Sequence, residues 1–484
     1  LLHSPEFVTV DLNLHETRIV ILPDGKRVKI RVESLKHTQD SCRHAVRSAE
    51  VRVRVNEKKI ILNSGMYNLP RRISGIQIDC PVTIDWVHNR DGSQFNPWAL
   101  ENDVRLRLWP GETSWIDPDT FVYPVEAEWF SSDTQMTNDP CYVDHGDLYE
   151  EPGSPGSNIY YHYGLDVGGS EGQTVIRSAV NGLVLSAADA TLLDYRKNTP
   201  VAPRYDVIYI LDSRGWLYRH SHFYSINPEI QPGIRVKKGQ KLGLLGKEGG
   251  SGGWSHFHFD INRRQPSGRF GAEDGYAFYW QSYFSTHPCT VQAVARPHKL
   301  VQAGEKILLD GSRSRSFTNK NSSLSYKWFF SDGSFSNNML SPKKYEKPGY
   351  YSEILQVTDS TGNMDYDFCP VLVVNPGVSK QEQPHTIHAV FHPTLGIKAG
   401  EDITFKVRSF GIDSRDGKEV WNFGDGSPEV EVCSDGNAEI HNPEGYALTR
   451  HSYNKPGCYL VSVSRTSGLG FTAAARLKVI VGEN

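Results

Sequence analysis

The run WSHFHFDI, residues 254–261, sets two histidines two positions apart in an aromatic, β-prone stretch. Alternate side chains of a strand share a face, so His256 and His258 point one way and Phe257 and Phe259 the other. Two imidazoles on one face suit a metal or a proton-transfer site, and equally the wet edge of a half-buried strand. The segment YYHYGLDVGG, residues 160–169, supplies further candidates. His162 and Asp166 again share a strand face, with Gly164 between them where a side chain would crowd a metal. A His and an Asp from one strand and a His from another make up the three protein ligands of a catalytic zinc, leaving a fourth position for water. A third segment, GWLYRHSHFYSI at 215–226, carries His220 and His222, which alternation also places on one face. Each pair alone is common; three of them in one β-rich stretch are hard to read as satisfied core histidines.

The elements that must position these residues are strands. EVRVRVNEKKIIL (50–62) alternates with period two around a polar turn at 56–59, and VTVDLNL, TRIVIL, RVKIRVES, GIQIDC, VRLRLWPG and TFVYPVEAEW read the same way. The fold class is therefore all-β and multidomain, with an N-terminal β-sandwich at 1–135 and a central antiparallel-sheet domain at 136–290. The remainder contains a repeat: WFFSDG (328–333) followed by KPGYY, and WNFGDG (421–426) followed by KPGCY. In each copy Pro-Gly makes a turn before an alternating strand. The two copies give domains at 291–377 and 386–482, joined by VSKQEQPHT.

With 484 residues, 38% of them hydrophobic and 22% charged, the chain can build several cores. No run of about 18 apolar residues occurs, so no membrane-spanning helix is predicted. A net charge of −4 with interspersed signs and no basic stripe argues against nucleic acid as a partner. The start LLHSPEF lacks both Met and a secretory signal pattern, as expected of a trimmed or mature chain. Seven scattered cysteines without Cys-x-x-Cys speak against a cysteine zinc site. Cys42 with Cys80, or Cys433 with Cys458, are candidate disulfides in an exported chain, and the odd count leaves one thiol over. The acidic stretch VDHGDLYEE (143–151) reads as a solvated loop or a groove wall, and GKEGGSGG (246–253) as a flexible turn lining the groove, since it lacks the ending of a phosphate-binding loop.

HYGLD, a tyrosine-bearing strand closing on a histidine, VKKGQKLGLLG and HFHFDI occur in that order over residues 160–262. This resembles the lysostaphin-type (beta-lytic) zinc endopeptidases. The resemblance implies zinc held by His162, Asp166 and His258, and His256 facing the bound water or oxyanion. It also implies a second catalytic histidine at the end of the middle strand. His222 is the first choice, because Gly215 lies seven residues before it and Phe223 follows; His220, through Tyr218, is the second. The repeats resemble the PKD (polycystic kidney disease) domain, an immunoglobulin-like sandwich, and imply a spacer or a glycan- or partner-binding surface. The implied function is peptide-bond hydrolysis in peptidoglycan cross-links by a monomeric enzyme, secreted or at the cell surface or periplasm of a bacterium. Two departures put the usual substrate in question: SPGSNIYYH replaces the segment that normally precedes the first His, and residues 187–204 look inserted. Two alternatives follow: a lyase or hydrolase using the same His/Asp site on an extracellular polysaccharide, and a non-catalytic zinc-containing binding protein.

Overall fold

The computed structural model describes residues 6–42, 45–87, 96–133, 161–192, 199–318, 323–375, 378 and 382–483. The acidic stretch 143–151, Cys141 and part of the 187–204 insertion lie outside them.

The N-terminal region forms one barrel-like sheet. Its strands are β1 (Val8–Leu12), β2 (Thr17–Ile21), β3 (Arg27–Gln39), β4 (Val46–Val55), β5 (Lys58–Ser64), β6 (Arg71–Ile73), β7 (Ile76–Thr83) and β8 (Val104–Pro110), in the order β1-β8-β7-β5-β4-β3-β2 with β6 beside β7. Period-two alternation places Val28, Ile30, Val32, Val51, Val53 and Val55 in its core and sends Arg31, Arg52 and Arg54 outward.

The central region is built on β9 (Leu165–Gly168), β10 (Val175–Arg177), β11 (Gly182–Ala187), β12 (Ala190–Thr191), β13 (Val207–Leu211), β14 (Leu217–Ser221), β15 (Phe223–Ile226), β16 (Arg235–Val236), β17 (Lys241–Leu245), β18 (His256–Arg264) and β19 (Phe270–Glu273). The main sheet runs β12-β11-β13-β14-β18-β19, with β9 also pairing β18 and β16 pairing β11, and a smaller sheet runs β10-β17-β15. Helix α1 (Tyr276–Thr286) covers the main sheet, burying Tyr276, Phe278, Tyr279, Trp280 and Tyr283.

Two segments depart from the strand reading. YAFYWQSYFST is the helix α1: apolar on nearly every side, it shows no clean helical stripe, and the Asp274 carboxylate accepts the Tyr276 N–H at its start, 2.8 Å away. TFVYPVEAEW, expected as a strand, makes a single bridge between Val125 and Ile176. Instead it lays Phe121, Tyr123 and Trp129 against α1 and joins the central core. Pro124 lacks the N–H a ladder needs.

The N-terminal sheet is locked to the central sheet by charge. Arg107 of β8, 1% exposed, pairs with Asp79 of β7 at 2.5 Å and with Glu273 of β19 at 2.7 Å. The two carboxylates compensate a buried guanidinium that would otherwise be costly to remove from water.

The chain ends in two β-sandwiches with buried Trp328 and Trp421 at equivalent repeat positions. They are not strung as separate beads. Residues 349–358 and 472–481 pair in parallel at Tyr350 and Ala473, which merges strands of both into one nine-stranded sheet. None of the six described cysteines forms a disulfide. Cys42 packs against Leu372 and Val374 of the first sandwich, whereas Cys80 lies in the core of the N-terminal sheet, so the two belong to different clusters. Cys433 donates to the Ser414 carbonyl, and Cys458 lies in the strand Gly457–Thr466.

Replacing Arg107 by Ala leaves Asp79 buried without its cation and Glu273 with Arg263 alone. The expected cost in denaturant unfolding is about 3–5 kcal/mol. A loss below about 1 kcal/mol, the level of a surface pair, would contradict this account of the interface.

Candidate metal and catalytic centre

β9 and β18 run antiparallel with His258 directly opposite Asp166 and His256 opposite Gly168. Directly opposed residues share a face, so this register brings the His162–Asp166 segment and the His-x-His strand to one point. His162 Nε2 lies 3.1 Å from His258 Nδ1 and 3.3 Å from Asp166 Oδ1, and His258 Nδ1 lies 2.8 Å from the same oxygen. All three residues are buried. Ligand atoms about 2.0–2.2 Å from a tetrahedral zinc stand roughly 3.3 Å apart, so the triangle has the size of one face of such a site. Burial would raise the Asp166 pKa, but His162 and His256 together with the His258 hydrogen bond hold it well below the carboxylate range. The centre therefore contains a buried anion against two converging nitrogen donors, a donor set that fits zinc.

Gly164 has a different reason from the expected one. A Cβ there would lie 2.4 Å from His258 Cε1 and 2.9 Å from the Phe259 carbonyl oxygen, so the glycine makes room for the His258 ring. The other nitrogen of that ring, Nε2, meets Asp260 Oδ2 at 3.3 Å, and Asp260 is paired with Arg219 and bonded by Asn262. Burial lowers the His258 pKa, but Asp166 and Asp260 outweigh it and raise it above the ordinary imidazole value. Asp260 thus orients the ligand ring in the manner of carboxylate–histidine–metal triads. It was legible as the next even position after 256 and 258, yet sequence reasoning did not single it out.

His222 and His256 stand beside this group, their ring centroids 4.6 Å apart. His222 Nδ1 is 2.6 Å from the Glu248 carbonyl oxygen, and His256 Nδ1 is 3.0 Å from that of Trp254. A carbonyl oxygen accepts only, so both Nδ1 atoms carry the proton and both Nε2 atoms present lone pairs. His256 Nε2 faces Asp166 Oδ2 at 3.8 Å. Burial pushes the His256 pKa well below the ordinary value, against Asp166, and that of His222 down against Asp206. Both imidazoles are therefore neutral at neutral pH.

His220 goes elsewhere. In the β14–β18 register it opposes Phe259, whereas Ser221 opposes His258. Its ring lies 5.2 Å from that of Phe259 and 5.6 Å from that of Phe257, and burial pushes its pKa down to about 3. His220 and His222 do not share a face, contrary to the alternation rule. His222 has φ +69° and interrupts the strand between β14 and β15, which turns its side chain to the metal side. Asp206 stabilises this break: one carboxylate oxygen accepts the His222 N–H at 3.1 Å while Arg204 pairs with the same carboxylate. Arg204, at the end of the insertion, was not anticipated. Nor does 246–253 form a free turn, because several of its backbone groups are bonded to the last sandwich.

A β-sheet domain with a buried His-Asp-His group, Asp166 and His258 on adjacent strands and His162 just before the first of them, flanked by two neutral imidazoles, has the make-up of a metallopeptidase. Residues 160–268 match the model of Peptidase family M23 and residues 290–368 that of the PKD domain, so the chain carries a lysostaphin-type M23 domain followed by a PKD domain. The repeat copy with WNFGDG lies outside the matched PKD residues. Among solved structures, a putative peptidase M23 from Pseudomonas aeruginosa is 15% identical over 57% of this chain and 96% of its own, at a TM-score of 0.20. Csd3 of Helicobacter pylori is 14% identical over 58% and 82%, also at 0.20. A carbohydrate-binding module of the beta-sandwich super family is 13% identical over 40% and 98%, at 0.17. No curated protein matches the chain.

Two substitutions test this geometry by competition against a zinc chelator. Asp260→Asn is expected to weaken zinc binding about 10–100-fold. Gly164→Ala is expected to weaken it at least as much, because the added methyl displaces the His258 ring. Unchanged affinity in both would remove the roles given to Asp260 and Gly164.

Proposed function

We propose that this protein is an extracellular zinc endopeptidase that hydrolyses peptide bonds in the cross-links of peptidoglycan. The observation that carries the reading is the convergence of His162 Nε2, His258 Nδ1 and Asp166 Oδ1 beside two neutral imidazoles. His162, Asp166 and His258 hold the metal. When bound, zinc supplies Lewis acidity toward a carbonyl oxygen and toward water.

The chain's own groups carry the protons. His256 and His222 each keep Nδ1–H on a backbone carbonyl, so Nε2 is available to take a proton from the attacking water. Once protonated, the same nitrogen donates to the departing amine or to the oxyanion. Water adds across the amide, leaving a carboxylate and a free amine. The N–H of His222 on Asp206 prevents the imidazole-bearing turn from relaxing back into strand geometry. The M23 match supports peptidoglycan as substrate and the surface or periplasm of a bacterium as the place of action.

The test uses purified cell walls and a panel of acidic polysaccharides, with zinc content measured on each protein. Wild type is expected to hold one zinc and release amines; His258→Ala is expected to lose both. His256→Ala and His222→Ala are expected to keep zinc and lose turnover by about 10²–10⁴-fold. Unsaturated sugars without amines would replace this reading by a polysaccharide lyase. Zinc with neither product would make the chain a binding protein.

A further inference from the structure

Both imidazoles of the centre take their Nδ1 partner from one loop. Glu248 supplies the carbonyl for His222 and Trp254 the carbonyl for His256. The Trp254 indole also stacks on the His256 ring, with centroids 3.6 Å apart and planes 11° from parallel. The orientation of both rings therefore follows the position of residues 248–254. Gly249, Gly252 and Gly253 all have positive φ, a backbone that glycine adopts freely and gives up as freely. Such a segment holds one conformation when its polar groups are bonded to something rigid.

The central domain supplies two such partners, the Tyr205 hydroxyl accepting the Gly249 N–H and the Gly169 N–H donating to the Ser255 carbonyl, and the last sandwich supplies four more. His441 Nε2 donates to the Gly249 carbonyl at 2.9 Å, Asn437 Nδ2 to that of Gly252 at 3.2 Å, and Arg408 Nη1 to that of Gly253 at 2.7 Å. The Tyr446 hydroxyl accepts the Ser255 N–H at 2.8 Å and is itself 2.9 Å from His388 Nδ1. His388 in turn packs edge-on against Trp254, 5.3 Å between centroids. Four backbone groups in seven residues are thus bonded by one neighbouring domain. Arg408 is buried and tied to Asp435 by two bonds of 2.8 and 2.7 Å, so the clamp is anchored in its own sandwich.

We infer that the last sandwich is a structural part of the active centre, with Tyr446 and His441 as positioning residues that set the orientation of His256 and His222 through the 248–255 loop. The inference rests on the catalytic reading of those two histidines. It departs from the spacer or glycan-binding role that a terminal immunoglobulin-like module suggests. A sandwich serving only as a tether would bond to the chain it follows, not to the loop that carries the carbonyl partners of two imidazoles.

The experiment compares the full chain with the double variant Tyr446→Phe/His441→Ala and with Tyr459→Phe. Tyr459 lies in the same sandwich, and its hydroxyl donates to the Lys455 carbonyl away from the loop. Readouts are amide hydrogen exchange of residues 247–256, kcat and KM on cell-wall peptide, and zinc per chain. The double variant is expected to exchange faster in that segment and to lose about tenfold or more in kcat, a size typical of removing an orienting partner, with KM and zinc unchanged. Tyr459→Phe is expected to match wild type. Unchanged exchange, or faster exchange with kcat retained, overturns the inference. If wild type releases no amine at all, the peptidase reading falls, and the exchange result alone decides whether the sandwich holds the loop.

Discussion

Asp166 sits opposite His258 across two antiparallel strands, and the rest of the centre is arranged around that register. A strand repeats with a period of two, so a slip of one residue would send Asp166 and His258 to opposite faces. The register is protected from both sides. On one, Phe257, Phe259 and Ile261 of β18 are buried in the aromatic core under α1. On the other, Gly164 leaves the space that the His258 ring occupies. Hydrophobic burial of the odd positions therefore aligns the polar even ones.

Burying a carboxylate among imidazoles costs free energy unless each charge is answered. The answer here is graded outward. Asp166 faces three histidines, His258 faces Asp260, and Asp260 faces Arg219. Each group is compensated by the next, and the outermost guanidinium reaches partial solvent exposure. The same logic holds where Arg107 joins the N-terminal sheet to β19, whose partner β18 carries the histidines. The surrounding sheet contributes to the centre by fixing the strand on which it is built.

The four regions are more interdependent than their order along the chain suggests. Phe7 and Trp109 of the N-terminal region pack into the same cluster as the central helix. The two C-terminal sandwiches share a sheet, and the last one returns to the loop before β18. Residues more than 150 positions apart thus decide where the loop carbonyls lie.

Much was readable in one dimension. Asp166, His256 and His258 announce themselves because strand alternation is a local rule; His162, expected on the same strand as Asp166, lies just before β9, across the bend at Gly164. The all-β class follows from the same periodicity, and the repeat from its recurring Trp-x-Phe, Asp-Gly and Lys-Pro-Gly motifs. What escaped has one physical source, which is contact between segments distant in sequence. His220 and His222 look equivalent by alternation, and they differ because Asp206 and Arg204 hold a left-handed residue at His222. YAFYWQSYFST does not stand out in the all-β reading, because an all-round apolar helix has no stripe. The glycine loop reads as free because glycine has no intrinsic preference, and the last sandwich supplies one. Local side-chain chemistry named the candidate ligands; only the tertiary structure, by bringing remote hydrogen-bond partners within 3 Å or so of the loop, decided how the neighbouring His222 and His256 are aimed.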